Sequence, residues 1–214
     1  MTSKRKQIKK IPIFIFFSKD EINKNYKKII FDEFSSYSVF KSDKKVLIDL
    51  SKISNLNTLQ KNYKLLLIGL AIKNYCKTGS FFVEYFGCKK TDVKNFFIGW
   101  SLADYSFEKY KSKKKSKSNA KIFHEFEKEI KYICESYFFT RDLINTPANI
   151  MGPNEIFYSA KKFLKKYTVL NLVSGRKLES KFPLISAVGQ GADDNKKPIF
   201  CEFKLKKNKS KKKI

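Results

Sequence analysis

Residues 141–153 read RDLINTPANIMGP, and this stretch separates two predicted helices. Apolar residues at helical spacing lead into it from the N-terminal side. That helix must end near Thr146, because Pro147 disfavours helical geometry in the residue before it. A second helix begins at once, since Gly152 offers a cap and Pro153 suits the first helical position. The sequence therefore predicts a boundary within this stretch.

Strand and helix patterns alternate on the N-terminal side of the boundary. The predicted strands cover residues 11–17, 45–50 and 80–86, and the predicted helices lie within 56–77, 91–110 and 121–141. Short β-branched and aromatic runs predict the strands, and apolar residues at helical spacing predict the helices. This order predicts an α/β fold, with an N-terminal mixed-sheet α/β domain over residues 11–144.

Two of the helical stripes are specific enough to test. The first, whose helical spacing predicts the helix within 56–77, contains Leu59, Tyr63, Leu66, Leu67, Leu70, Ala71 and Tyr75. The second, for the helix that begins at Pro153, contains Ile156, Ala160, Phe163, Leu164 and Tyr167. Strands are predicted at Thr168–Val173 and Pro198–Leu205, where Cys201 lies.

Three lysine-rich stretches contain too little apolar material to bury. They are a basic start at residues 1–10, the loop KSKKKSKSN at 111–119, and a tail at 206–214. We expect the start and the tail to be disordered and the loop to be mobile. The apolar run at 11–17 is too short for a membrane span, and the start lacks a signal-peptide cleavage site, so neither a membrane partner nor secretion is expected.

The charge of the chain suggests one class of partner. The formal net charge is +26, but only Arg5, Arg141 and Arg176 among the 46 basic residues are arginines. Lysine neutralises phosphate but lacks the planar fork that reads bases and phosphates bidentately. We therefore expect weak, nonspecific binding to nucleic acid, and attribute the lysine content mainly to compositional bias.

Residues that could perform chemistry are sparse. The four cysteines, Cys76, Cys88, Cys134 and Cys201, are scattered, and buried free thiols in a reducing cytoplasm are the expected state. The single histidine, His124, is expected to be a partly exposed helix residue. One histidine excludes a metal site built on two. The pair Asp193 and Asp194 follows a GQG triplet and is expected to lie in a solvated turn.

The boundary stretch resembles a family signature. Residues 141–149 are similar to the R-D-L-x-N-T-P-A-N signature of leucyl (cytosol) aminopeptidases, and the M-G-P that follows is similar to an alphaproteobacterial-type subgroup. Residues 99–111 resemble that subgroup's G-W-x-L-x-x-Y-x-F-x-x-Y-K helix. Residues 182–189 resemble its F-P-L-I-H-A-V-G, with Ser186 in place of the histidine. The matching signature residues are Arg141, Asp142, Asn145, Thr146, Pro147, Ala148, Asn149, Gly152 and Pro153.

The resemblance implies an incomplete start of an α/β peptidase domain at residues 145–205. Family enzymes use two divalent ions, zinc or manganese, held by G-K-G-x-x-F-D-x-G-G and N-T-D-A-E-G-R segments. Neither segment occurs in the 214 residues. We therefore assign no catalytic or metal residue, expect no cofactor in this chain, and interpret the signature residues as structural.

Three hypotheses follow. The chain is a truncated, inactive aminopeptidase, or half of an enzyme that needs a separately encoded catalytic half, or a non-enzymatic lysine-rich module that binds nucleic acid or protein. On the first two hypotheses the C-terminal strands would expose an apolar face and promote self-association. The residues expected on that face are Phe182, Leu184, Ile185, Ile199 and Phe203.

Overall fold

The computed structural model describes residues 10–26, 29–112, 118–164 and 168–205. The chain divides into two compact units between Phe139 and Thr140. Residues 1–9 of the predicted disordered start, the predicted disordered tail, the centre of the lysine-rich loop at 113–117 and Tyr167 lie outside the described residues. Lys10, which was assigned to the disordered start, is instead the first residue of a strand. Among the helices in the described ranges, none has the length and apolar character required to span a membrane.

The first unit is built on a six-stranded mixed sheet, which confirms the predicted fold class. Its strands are β1 (Lys10–Phe16), β2 (Asp32–Glu33), β3 (Ser38–Lys41), β4 (Val46–Asp49), β5 (Thr78–Phe86) and β6 (Asn119–Phe123). They are arranged in the order β2-β3-β4-β1-β5-β6. β1 pairs in parallel with β4 and β5, β5 pairs in parallel with β6, and the β2–β3 and β3–β4 pairs are antiparallel.

Four helices accompany this sheet in sequence: α1 (Lys19–Tyr26), α2 (Thr58–Cys76), α3 (Lys90–Leu102) and α4 (Glu127–Asn145). Asn57 caps α2, because its side-chain oxygen accepts a hydrogen bond from the Gln60 N–H at 2.9 Å. α3 begins one residue before the predicted cap Thr91, where the Asp92 carboxylate accepts from the Lys89 N–H at 2.9 Å.

The helix predicted within 56–77 is present as α2, but the apolar stripe that predicts it is not the face that α2 buries. The residues that α2 buries are Leu65, Ile68, Gly69, Ile72, Lys73 and Cys76. In contrast, Leu59 is 81% exposed and Tyr63 is 59% exposed. Because α2 carries apolar residues around most of its circumference, two faces satisfy helical spacing equally well, and spacing alone does not select between them.

Two glycines select the face. A Cβ on Gly69 would lie 2.0 Å from the Phe96 carbonyl oxygen, and a Cβ on Gly99 would lie 1.8 Å from the Leu66 carbonyl oxygen. Any side chain at either position would therefore collide with backbone of the opposite helix. The absence of side chains at these two positions lets α2 and α3 pack backbone against backbone.

Two predicted helix boundaries were also wrong. α3 ends at Leu102, so Phe107 and Tyr110 do not continue its stripe. Residues 119–123 form β6 rather than the start of a helix, because their backbone completes the parallel pairing with β5. Asn119, assigned to the mobile loop, is therefore the first residue of a strand. The fourth helix begins at Glu127, six residues later than predicted.

The second unit contains the elements after the boundary: α5 (Pro153–Leu164), β7 (Thr168–Ser174), α6 (Arg176–Lys181), α7 (Pro183–Val188) and β8 (Ile199–Leu205). β7 and β8 form an antiparallel pair, as the two strand predictions allow. The predicted face of α5 was wrong: Phe157 is 4% exposed, whereas Ile156 is 46% and Phe163 is 41% exposed.

Candidate functional site

The signature segment begins with the last turn of α4. Thr146 is 7% exposed, and its Oγ1 donates a hydrogen bond to the Asp142 carbonyl oxygen at 2.7 Å. The Thr146 N–H donates to the same oxygen at 3.1 Å. Thr146 thus satisfies a carbonyl at the end of the helix, where backbone acceptors lack helical partners. Its hydroxyl contributes to ending α4, in addition to the effect of Pro147.

Pro147 begins a turn that reverses the chain. Its carbonyl oxygen accepts from the Ile150 N–H at 2.9 Å and from the Met151 N–H at 2.8 Å. Ala148 and Asn149 lie at the tip of this turn and are exposed. Pro147 has no N–H, so it contributes only its carbonyl oxygen to the hydrogen bonds of this turn.

Gly152 and Pro153 begin α5, as predicted. The Glu155 carboxylate accepts from the Gly152 N–H at 2.9 Å, and Lys196 Nζ lies 3.7 Å from the same carboxylate oxygen. The N–H groups of Glu155 and Gly152, followed by Lys196, hold the pKa of the Glu155 carboxyl below its usual range. A carboxylate at a helix N-terminus is stabilised by these unpaired N–H groups. Sequence reasoning placed Glu155 in the first turn but missed its lysine partner.

The remaining signature residues lie on the last turns of α4. Arg141, Asp142 and Asn145 are exposed there, and each takes part in an interaction within the structure. The segment therefore brings together two helix ends and one turn. This geometry orients the chain, and it contains no nucleophile paired with a base.

A small cavity lies beside the stretch that resembles F-P-L-I-H-A-V-G. Its volume is about 300 Å³, and Arg176, Glu179, Ser186 and Gln190 contribute polar groups to its lining. Gly189 is required at its edge, because a Cβ there would lie 2.2 Å from Cγ of Pro198. The proline ring cannot turn aside as a long flexible side chain would. This edge of the cavity therefore depends on close contact between the Gly189 backbone and the Pro198 ring.

A two-ion metal site does not fit the described residues. Within residues 10–26, 29–112, 118–164 and 168–205, no group of three or more His, Cys, Asp or Glu side chains is arranged to hold a metal ion. Divalent ions in such sites require several convergent oxygen, nitrogen or sulfur ligands. Asp193 and Asp194 are exposed at the start of the 3₁₀ turn Asp194–Lys196, which agrees with the predicted solvated turn. No catalytic step is therefore assigned to these residues.

His124 lies between β6 and α4, so its predicted place on a helix was wrong. Its ring stacks on Phe97 with the ring centroids 4.5 Å apart. Burial lowers the pKa of the imidazole, and the charge of Glu127 partly opposes this effect. Nδ1 is buried without a hydrogen-bond partner among the described residues. The half-buried ring of His124 therefore packs as an aromatic side chain against the core residue Phe97.

The four cysteines are free thiols. Cys76 and Cys134 are buried, as predicted, whereas Cys88 and Cys201 are half-buried. Burial raises the pKa of Cys76 and Cys134 to about 11 and that of Cys88 to about 12. Because the thiolate is the reactive form, these three cysteines are poor nucleophiles at neutral pH.

Sequence reasoning missed a buried ion pair in the first unit. The Lys73 side chain is 5% exposed, and its Nζ lies 2.5 Å from Oδ1 of Asp104. Lys73 follows Gly69 by four residues and Ile72 by one, so it falls on the face that α2 buries. A lysine at a core position is visible in the sequence as a signal. It can be recognised only once the buried face of α2 is known.

Comparison with known proteins links the C-terminal third of the chain to a family. Residues 138–214 match the family model for the catalytic domain of the cytosol aminopeptidase family, peptidase M17. A probable cytosol aminopeptidase of Phytoplasma mali (strain AT) is 33% identical over 138 residues, which cover 56% of this chain and 28% of that protein.

Solved structures share the fold. The cytosol aminopeptidase of Coxiella burnetii gives a TM-score of 0.65 at 21% identity and covers 86% of this chain and 42% of its own. A tomato leucine aminopeptidase mutant gives 0.65 at 14% identity, over 94% of this chain and 48% of its own. The chain thus spans less than half of these relatives. Together the matches support a relationship to the cytosol aminopeptidases.

Proposed function

We propose that this chain supplies the N-terminal domain and the first part of the catalytic domain of a cytosol aminopeptidase, an enzyme that removes N-terminal amino acids from peptides. The match of residues 138–214 to the family's catalytic domain carries the proposal. On this proposal residues 145–205 are the incomplete start of that domain, and the resemblance of the M-G-P at 151–153 supports the alphaproteobacterial-type subgroup.

The 214 residues alone are proposed to be inactive. They contain neither of the two segments expected to hold the zinc or manganese ions, and Phe31-Asp32 and Asn145-Thr146 match only two residues of those segments each. In a two-metal peptidase the ions activate the attacking water, so a chain without their ligands lacks the nucleophile. Hydrolysis therefore requires residues outside these 214.

An apolar surface in the second unit favours a partner that supplies those residues. Leu184 is 82% exposed and Val188 is 90% exposed, and with Ile185, Gly189 and Pro198 they line a depression of about 390 Å³. An exposed apolar surface of this kind is typical of an interaction site. We assign this surface, defined as Leu184, Ile185, Val188 and Pro198, to contact with the remainder of the catalytic domain.

The test is complementation. The 214-residue chain is assayed for hydrolysis of a leucyl anilide with added Mn²⁺ or Zn²⁺, alone and mixed with the C-terminal part of the P. mali aminopeptidase. We expect no metal-dependent hydrolysis from either chain alone, and hydrolysis from the mixture if this chain is a working half. The matched control is the mixture made with the L184K/V188K variant. This mixture should not show the metal-dependent hydrolysis expected of the unsubstituted mixture.

Two outcomes separate the hypotheses. Metal-dependent hydrolysis by the 214 residues alone would contradict the proposed inactivity. Binding of the two chains without hydrolysis would favour an inactive remnant over a working half. The alternative, a non-enzymatic module that binds polyanions through its net charge of +26, predicts neither binding between the chains nor hydrolysis.

A further inference from the structure

A second cavity lies within the first unit, away from the signature segment in sequence. Its volume is about 360 Å³, and its lining comes from α2, α3, β6 and the start of α4. Ligand sites in proteins are usually concave, with apolar walls and a few convergent polar groups, and begin at about 300 Å³. This cavity has that size and that mixture of groups.

The wall of the cavity holds a charge that the fold does not need for packing. Lys73 is buried on α2, and Asp104 faces it at 2.5 Å while remaining 45% exposed. Burying an ammonium group is costly, and a buried ion pair is rarely more stabilising than apolar side chains of similar volume. Lysine offers three N–H donors, and a single carboxylate oxygen accepts one. The pair therefore presents a sheltered ammonium at the cavity wall.

The charge balance of the lining favours an anion. Lys73, Lys121 and Lys131 contribute three positive charges, and Asp104 and Glu127 contribute two negative ones. Lys121 and Lys131 are exposed. The contact of Lys131 with Glu135 measures 4.0 Å between side chains that are 69% and 49% exposed. Such surface pairs are weak, so Lys131 can turn toward a ligand at little cost.

Apart from Ser101 and His124, the rest of the lining is apolar and aromatic. Trp100 is 2% exposed, with its ring 6.0 Å from Lys73 Nζ, and Phe123 is 43% exposed. Lys10 Nζ lies 4.3 Å above the Phe123 ring, which adds a further cation near this wall. A ligand that uses both features has one negative charge and an apolar body.

We propose that this cavity binds a small organic monocarboxylate. The ligand carboxylate accepts hydrogen bonds from Lys73 and from the exposed lysines Lys121 and Lys131. Its hydrocarbon body packs against Trp100 and Phe123. Because all of these residues lie between positions 73 and 131, the site is independent of the proposed aminopeptidase function.

Trp100 supplies the readout, since it is the only tryptophan in the chain. The 214-residue protein is titrated with 4-methylpentanoate, and with the uncharged 4-methylpentanamide as the matched ligand. We expect a saturable change in Trp100 fluorescence with the carboxylate and at least tenfold weaker binding of the amide. Hydrogen bonds to a charged group account for a difference of about this size.

Two variants test the assignment in opposite directions. K121Q/K131Q should weaken binding of the carboxylate about tenfold, with K44Q on the β3–β4 turn as the matched surface control. D104N should strengthen binding, because it removes the carboxylate that competes for the Lys73 ammonium. If D104N does not fold, the lysine variants alone decide.

The proposal fails on any of three results. These are no fluorescence change at millimolar carboxylate, equal affinity for the amide, or an unchanged affinity in K121Q/K131Q. A loss of binding in K44Q equal to that in K121Q/K131Q would also overturn it, because the effect would then reflect net charge rather than this cavity.

Discussion

The two units differ in how completely they bury their apolar residues. In the first unit, Ile13 and Ile15 of β1 are 0% exposed, and the helix crossing at Gly69 and Gly99 encloses Trp100 at 2% exposure. In the described part of the second unit, the buried hydrophobic residues are Phe157 and Leu178. The first unit therefore has the core of a self-contained domain, and the second has the elements of a domain with little core.

The exposed residues of the second unit support the same distinction. Its exposed large hydrophobic residues are Ile144, Ile150, Ile156, Tyr158, Phe163, Leu172, Leu184, Ile185 and Val188. Burial contributes about 25 cal/mol per Å² of apolar surface, so these side chains forgo stabilisation that packing would supply. Among the described residues, secondary structure thus forms in both units, but most of the buried hydrophobic residues belong to the first.

The largest effect is expected from G99A. An added Cβ would lie 1.8 Å from the Leu66 carbonyl oxygen, so the two helices must separate and the core must open. Forcing atoms into a packed interior costs about 1–3 kcal/mol and occasionally more, and contact with backbone places this variant at about 3 kcal/mol. Urea unfolding followed by Trp100 fluorescence measures the change in the free energy of unfolding.

G191A is the matched control for G99A. A Cβ at Gly191 would meet nothing within 4 Å, so this variant should change the stability by less than about 0.5 kcal/mol. Equal destabilisation by the two variants would contradict the assignment of a self-contained core to the first unit.

A smaller effect is expected from L184K/V188K on self-association. These side chains are 82% and 90% exposed on the apolar surface of α7, and charge there opposes contact between copies. We expect the dissociation constant for self-association, measured by sedimentation velocity, to rise about tenfold, which corresponds to about 1.4 kcal/mol. L59K, at a residue 81% exposed on α2, is the control and should leave self-association unchanged. A chain that stays monomeric without any substitution would remove the basis of this prediction.

The smallest effect is expected from T146V. The substitution keeps the shape of the side chain but removes the hydrogen bond from Oγ1 to the Asp142 carbonyl oxygen. A neutral hydrogen bond contributes about 1 kcal/mol, and that loss should appear as faster amide exchange in the last turn of α4. T91V, at an exposed position in the first turn of α3, should leave that exchange unchanged. Unchanged exchange in T146V would show that Pro147 alone ends the helix.

Local signals predicted much of the second unit. Pro147 and Pro153 determine where one helix ends and the next begins, because a proline constrains the residue before it and suits a first helical turn. The exposed face predicted from residues 182–203 was only partly correct. Leu184 and Ile185 are exposed, but Phe182 stacks on Phe200 at 4.4 Å, and Phe203 lies 6.5 Å from Phe157.

The face that each helix buries was harder to predict. The stripes predicted for α2 and α5 had helical spacing, yet the structure buries Leu65 and Phe157 instead of Leu59 and Ile156. Helical spacing identifies a helix. When a helix has apolar residues on several sides, spacing does not identify the side that packs against the core. The buried pair of Lys73 and Asp104 was missed for the same reason, since its position depends on which face of α2 is covered.

The sequence by itself determined the α/β class, the strands near residues 11–17, 45–50 and 80–86, and the helix break at Pro147. These follow from period, propensity and proline geometry, which act over a few residues. Only the tertiary structure decided the parallel pairing of β6, the buried face of α2 and the cavity beside Lys73. Each of these depends on residues distant in sequence: β6 on β5, and α2 on the backbone approach that Gly69 and Gly99 permit. The spacing of residues within one element does not identify the surface against which that element packs.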